Sequence, residues 1–282
     1  MKKVITTVLK RKNFFRKIDL LPIKSSGIDK EGDPFVQLLD GTIFFGNQIA
    51  PTRIEKPFLY KGLSKKTRKV LQFEALQVAK DIVIRYVEGA LMSRGPLKQA
   101  EYTVKDGDYV AEMGAYQGFY SIKLAQQVGP KGKVVCIEPM PDNFRILKKN
   151  KEANKLNHMH IVNKGVWDIS KNLEFNRRRG DGQSSSIEMK YENADKFLVP
   201  ADTLDSIFLD INVVPTDFVI IQLNGAEINA LRGLKSFNPK NLSIAARYDT
   251  EGVDAAIAIK KLLEKRGYET KIKEDDFVFA SI

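Results

Sequence analysis

The sequence predicts a doubly wound α/β sheet carrying a small N-terminal α+β appendage, and three observations predict it. From Tyr102 onward, short apolar runs alternate with stretches of helical spacing. One run, 109–111, is followed by an acid, a glycine turn and a helix. The last two runs, 268–273 and 277–281, are close enough in the chain to pair antiparallel.

The appendage is placed at residues 1–100 and the sheet domain at 101–282. Residues 1–17 carry Lys2, Lys3, Lys10, Arg11, Lys12, Arg16 and Lys17 without an acid, interleaved with Val4, Ile5, Val8, Leu9, Phe14 and Phe15. This reads as a helix packed on the domain with its charges in water; the competing reading is an arm that touches nucleic acid or lipid headgroups. In 35–45, Asp40-Gly41 between apolar runs signals a hairpin. A basic loop, 61–69, precedes a long helix at 70–92 with Leu71, Ala75, Val78, Ile82, Val83 and Val87 at its apolar positions. Gly95-Pro96 is expected to end that helix.

In the second part, 109–111 is a strand and 119–128 a helix, with Ile122, Leu124, Ala125 and Val128 on or near one face. Strands follow at 133–138, 160–164, 217–223 and 242–247. Helices are expected at 142–154, 203–209, 226–234 and 253–266, the last closed by Gly267. A polar insertion, 176–193, with Arg177-Arg178-Arg179 and Ser184-Ser185-Ser186, interrupts the alternation and is read as a loop or small ribbon near the pocket.

Composition sets the class. The chain has 282 residues, 43% of them hydrophobic, enough for a proper core. With 46 basic and 35 acidic residues the net charge is +11, which suits an acidic partner or, equally, a solvated surface. The lone Cys136 lies in an apolar run, as a buried inert thiol does. No apolar run is long enough to cross a bilayer, and the N-terminus lacks the apolar core of a secretion signal, so a soluble cytoplasmic setting is expected.

The candidate site begins at the glycine turn, Glu112-x-Gly114-Ala115-x-x-Gly118, with Tyr116 and Ser121 within and just beyond it. Glycines there let a ligand approach the backbone. The spacing is not the G-x-G-x-x-G that seats a pyrophosphate, and an acid ahead of the glycines repels a diphosphate. No G-x-x-x-x-G-K-[ST] loop is present. Such an acid suits a ligand with a cationic amine and no phosphate, such as the methionine part of S-adenosylmethionine. Glu138 closes the next strand about 20 residues on, where doubly wound folds hold ribose hydroxyls. Pro139, Met140, Gly165 and Val166 are expected around the adenine. Trp167 is assigned to core packing.

Four blocks together resemble the FkbM-type class I methyltransferases: Glu112-Met-Gly-Ala-Tyr-Gln-Gly, Ile137-Glu-Pro-Met-Pro-Asp-Asn-Phe144, Asp202-Thr-Leu-Asp-Ser206 and Gly225-Ala-Glu-Ile-Asn-Ala-Leu-Arg-Gly233. The resemblance runs from about residue 102 to the C-terminus. It implies a Rossmann-like sheet of seven strands with an antiparallel last hairpin, S-adenosyl-L-methionine as cofactor and methyl transfer, commonly to a hydroxyl oxygen. Ser184–Ser186 resembles a serine-containing segment that the family carries before its Thr-Leu-Asp block.

The chain departs from the family after the fourth strand. Where the family reads Lys-Ile-Asp-Val-Glu-Gly-Ala-Glu, this sequence has Ile220, Ile221, Gln222, Leu223, Asn224, Gly225, Ala226 and Glu227. Gln222 and Asn224 stand in place of carboxylates. Amides neither take a proton at neutral pH nor hold a divalent cation as carboxylates do, so no metal is expected. Gln222, Asn224 and Glu227 are the catalytic candidates, with Gln222 also at the cofactor. Glu227 has a competing role, complementing the dipole of its helix. His158 and His160 lack the spacing of a zinc motif and are assigned to structure.

The expected activity is therefore metal-independent methyl transfer to an oxygen or nitrogen of a small-molecule or macromolecular acceptor. Phe119, Tyr120 and the 61–69 loop are candidates to border it. A catalytically inactive cofactor-binding or interaction protein is the second reading, raised by the missing acids. An RNA methyltransferase is the third; no nucleic-acid motif supports it. A nicotinamide-dependent oxidoreductase ranks last on glycine spacing. Oligomeric state is left open.

Overall fold

The computed structural model describes residues 21–47, 80–81, 83–84, 86–178, 185–186, 194–246, 254–273 and 277–282. The basic segment 1–17, the loop 61–69, the first ten residues of the long helix and most of the insertion's tip lie outside the described residues. The chain divides into two compact units, Met1–Gly89 and Ala90–Ile282.

In the first unit, β1 (Ile23–Ile28), β2 (Pro34–Leu38) and β3 (Ile43–Phe45) form an antiparallel sheet in that order. The β2–β3 turn is the expected Asp-Gly hairpin. Asp40 accepts the Thr42 N–H at 2.8 Å, and Gly41 takes a φ of 92°, which costs a glycine little. Val36, Leu38 and Phe44 are buried, while the Phe35 and Phe45 rings meet at 5.7 Å. The described residues at 80–88 are helical.

Helix does not stop at Gly95-Pro96. A π turn, Gly89–Ser93, leads into α1 (Arg94–Lys98). The widened turn breaks the α-helical ladder, and Pro96 then falls in the first turn after the break, where a missing N–H is tolerated.

The second unit is built on a seven-stranded sheet of β4 (Tyr109–Met113), β5 (Lys133–Ile137), β6 (Met159–Val162), β11 (Phe218–Ile221), β12 (Asn241–Ala245), β13 (Glu269–Lys273) and β14 (Phe277–Ser281). Its order is β13-β14-β12-β11-β4-β5-β6. β12, β11, β4, β5 and β6 run parallel, and β14 is antiparallel between β12 and β13. This is the seven-stranded doubly wound sheet with an antiparallel last hairpin that the resemblance implies. Its central strands are apolar on both faces because helices cover both. Phe218, Val219, Ile220 and Ile221 are all buried, each contributing about 1.5–3 kcal/mol.

Around the sheet lie α2 (Phe119–Val128), α3 (Pro141–Ala153), α4 (Leu204–Asp210), α5 (Glu227–Arg232) and α6 (Ala255–Glu264). Local chemistry sets their ends. Pro141 opens α3, the Thr203 hydroxyl caps α4 by accepting the Ser206 N–H, and Asp254 caps α6 through the Ile257 N–H. β4 and β11 are neighbours from which the chain winds outward in opposite directions. Their carboxyl ends form the switch point where doubly wound sheets take ligands.

The insertion is larger than the polar stretch suggests. β8 (Lys171–Arg178) and β10 (Ala194–Asp202) pair antiparallel, β7 (Gly165–Val166) joins β10 in parallel, and β9 (Ser185–Ser186) pairs with β8. Its signal is alternation: Leu173, Phe175, Val199 and Ala201 turn inward onto Met140, while Glu174 and Leu198 face out. Trp167 packs partly buried on the same cluster, under the Lys171 ammonium at 4.5 Å.

Candidate active site

The turn after β4 is held by the backbone. Gly114 and Ala115 both donate to the Ile137 carbonyl at 3.0 Å, and Gln222 donates to the Met113 carbonyl at 3.1 Å. Gly114, Tyr116 and Gly118 are all left-handed, at φ 78°, 53° and 81°. A Cβ at Gly114 would run into the Gln222 carbonyl oxygen, and one at Gly118 would come within 2.5 Å of a Leu147 methyl. Gly114 is therefore required by space as well as by φ, and Gly118 by φ.

A cleft opens beside this turn. Gly114 and Tyr116 line it from β4, and Ile137, Glu138, Pro139, Met140 and Asn143 from β5 and α3. Lys164, Gly165 and Val166 line it after β6, Phe175 from the ribbon, and Gln222, Leu223, Asn224 and Ala226 after β11.

Glu138 is the acid of this cleft. It is buried, with Oε2 accepting the Tyr116 N–H at 2.9 Å and Oε1 accepting Met140 N–H at 3.1 Å and the Asn143 amide at 3.2 Å. Burial pushes its carboxyl up to about 7, against these hydrogen bonds, with the Glu112 charge adding to the rise. A carboxylate oxygen has room for two hydrogen bonds, so Oε2, with one from Tyr116, keeps capacity for a ligand hydroxyl. Lys164 reaches Asp202 and Asp210, each at 3.2 Å. Burial draws its pKa down, and the two carboxylates outweigh that and raise it.

Other expected residues stand away from the cleft. Ala115, Gly118 and Ser121 shape the turn and the start of α2 without lining it. Glu112 is buried with both oxygens engaged: Lys98 Nζ lies 2.5 Å from Oε1, and the Ser121 hydroxyl donates to Oε2 at 2.6 Å. Glu227 turns back on its own loop, accepting Leu223 N–H at 2.7 Å and Gly225 N–H at 2.8 Å. Burial raises its carboxyl, opposed by those backbone bonds. The loop needs this brace because Asn224 and Gly225 are left-handed, at φ 53° and 108°. Glu227→Ala is expected to lower stability by about 2 kcal/mol, because it strands two backbone donors; denaturant unfolding checks this.

A model described as the methyltransferase FkbM domain matches residues 112–270, more than half of the chain. The chain belongs to the FkbM methyltransferase family. It is thus a methyltransferase that uses S-adenosyl-L-methionine. No curated protein matches it significantly. Among solved structures it is similar to Aeropyrum pernix fibrillarin with bound S-adenosyl-L-methionine, at 13% identity and TM-score 0.45, over 93% of this chain and 100% of that one. It is also similar to an Aquifex aeolicus SAM-dependent methyltransferase, at 16% identity and TM-score 0.39, over 69% and 90% of the two chains. A third is a precorrin-6y C5,15-methyltransferase from Geobacter metallireducens, at 12% identity and TM-score 0.43, over 67% and 88%. At these scores none of them bears on acceptor or mechanism.

The cleft of this FkbM methyltransferase fits the cofactor. Glu138 would take ribose hydroxyls, and Met140, Val166 and Phe175 give an apolar wall for the base. Phe175 is absent from the sequence reading because it lies just before the polar stretch 176–193, in a segment where no strand is expected. Lys98 is absent because helix was expected to end before it. Among the described residues no helix is long and apolar enough to cross a membrane. His158 donates to the Ala125 carbonyl at 2.8 Å, and neither it nor His160 lines the cleft. Burial, then Lys133, Lys151 and His158, lowers the His160 pKa. Cys136 is buried, which pushes its thiol up and keeps it unreactive.

Proposed function

We propose that this methyltransferase acts on a nitrogen or oxygen of its acceptor without a metal, by alignment instead of strong base catalysis. The observation that carries this reading is the pair of amides, Gln222 and Asn224, on the cleft lining after β11. The charged side chains of that lining are Glu138 and Lys164, on the β5 and β6 side.

S-adenosyl-L-methionine supplies an electrophilic methyl on a sulfonium. The chain's own part is to hold and aim. Glu138 accepts from ribose hydroxyls, the apolar wall receives the base, and the Gln222 and Asn224 amides orient the acceptor by hydrogen bonds. A neutral amine attacks with its own lone pair and loses its proton to water afterwards. A hydroxyl needs a base during attack, which neither amide supplies. The amide pair thus favours nitrogen, and Glu227 serves by holding the loop that carries both amides. The net charge of +11 favours an acidic acceptor. A lone buried cysteine accords with a reducing, cytoplasmic setting.

The test is transfer of labelled methyl from S-adenosyl-L-methionine to a cell extract, with and without EDTA. Label that survives mild base and is undiminished by EDTA is the expected result. Activity lost to EDTA and restored by magnesium would overturn metal independence. Base-labile label would indicate a carboxylate ester, and label released by ribonuclease would favour the RNA reading.

A further inference from the structure

We propose that Lys98 is a positioning residue, and that Glu112 is its internal partner in place of a receptor for the cofactor's amine. This rests on the reading of the cleft as the S-adenosyl-L-methionine site. The sequence offers Glu112 as an unmatched acid ahead of a glycine turn; in the fold it is already matched. One oxygen meets the Lys98 ammonium at 2.5 Å and the other the Ser121 hydroxyl at 2.6 Å. The side chains of Lys98 and Glu112 are only 8% and 2% exposed.

The lysine is held there by a built setting. Gly95 brings α1 so close to Tyr120 that a Cβ would lie 2.5 Å from its ring. The ammonium then stands 4.7 Å from the Tyr120 ring centroid. The Tyr120 hydroxyl accepts from the Gln99 amide at 2.7 Å, and the same amide reaches Gln127 at 2.8 Å. Gln99 also accepts the Val104 N–H at 2.7 Å. Neighbouring residues of α1 thus fix both the cation and the ring beneath it.

A buried pair of this kind does little for net stability, because desolvation offsets the attraction. What it does is geometric: it ties α1, the end of β4 and the start of α2 together two residues before Gly114. Lys98, Glu112 and Ser121 are all outside the cleft lining, whereas Gly114 and Gln222 are in it. The Gln222 carbonyl oxygen stands where a Gly114 side chain would begin, so the turn packs directly on the chain after β11. Glu112 therefore acts on the ligand only through the shape of the turn, and Lys98 acts through Glu112.

Calorimetry with S-adenosylhomocysteine and 5′-methylthioadenosine, which lacks the amino acid end, separates the roles. Lys98→Met leaves Glu112 unpaired and is expected to weaken both ligands alike, by about tenfold, with a lower melting temperature. Adding Glu112→Gln should return both affinities and the melting temperature toward wild type. The ratio of the two dissociation constants should stay within about threefold throughout, as expected if neither charge touches ligand. A ratio that collapses by about tenfold or more in the double variant would show that Glu112 holds the amine. Tighter S-adenosylhomocysteine binding by Lys98→Met would mean that lysine and ligand compete for one carboxylate, and a double variant no better than Lys98→Met would reduce the lysine to packing. Each of these overturns the proposal. Should the wild type bind neither ligand, the cofactor reading fails instead, and rescue of the melting temperature still decides whether the pair acts as a unit.

Discussion

Gly114→Ala is expected to reduce S-adenosylhomocysteine affinity by at least about a hundredfold. Two causes combine. The residue is held at φ 78°, which costs a side chain about 1–2 kcal/mol. The added carbon also meets the Gln222 carbonyl, a backbone atom fixed by its place after β11. Relief requires the ends of β4 and β11 to part, which moves both sides of the cleft. Gly107→Ala is the control, because Gly107 has a φ of 86° but nothing within 4 Å of a new Cβ. It should show the strain alone: a small loss of stability with binding intact. Calorimetry and thermal unfolding of the two variants settle the matter. Binding by Gly114→Ala within about threefold of wild type would mean that the turn does not face the cofactor.

Glu138 is the second. Glu138→Ala is expected to weaken S-adenosylhomocysteine by about a hundredfold, the loss of charge-assisted bonds to ribose hydroxyls. The wild type carries a signature in pH. Burial raises this carboxyl from 4.5 to about 7, so as pH falls through 7 it takes a proton and binds hydroxyls less well. Ligand affinity should therefore decline below pH 7. Stability of the free protein should move oppositely from the same group. Between 4.5 and 7 the folded state binds the extra proton, so this contribution is full below 4.5 and is lost as pH rises through 7. Titrations and melts across this range check both directions. Affinity independent of pH from about 5.5 to about 8.5 would contradict an ionised Glu138 at the ribose.

The sheet was legible because its strands announce themselves. Runs such as Phe218–Ile221 are apolar throughout, and α2 shows its face at Ile122, Leu124, Ala125 and Val128. The cleft was legible where residues adjacent in sequence line it, as with Glu138, Pro139 and Met140. Two things were not. The ribbon escaped because each strand shows the core only alternate residues, and charged neighbours such as Glu174 and Lys196 mask the pattern. The partner of Glu112 escaped because a sequence gives an acid's place but not which cation folds onto it. Lys98 lies 14 residues upstream, beyond a proline expected to end the helix. Glu227 shows the same limit: its bonds to Leu223 and Gly225 depend on a loop with two left-handed residues, only one of them glycine.

The ribbon has its own small core, Met140 with Leu173, Phe175, Val199 and Ala201, apart from the apolar interior of the main sheet. The cleft lining thus draws on two separate apolar clusters, Ile137 and Val166 from one and Met140 and Phe175 from the other.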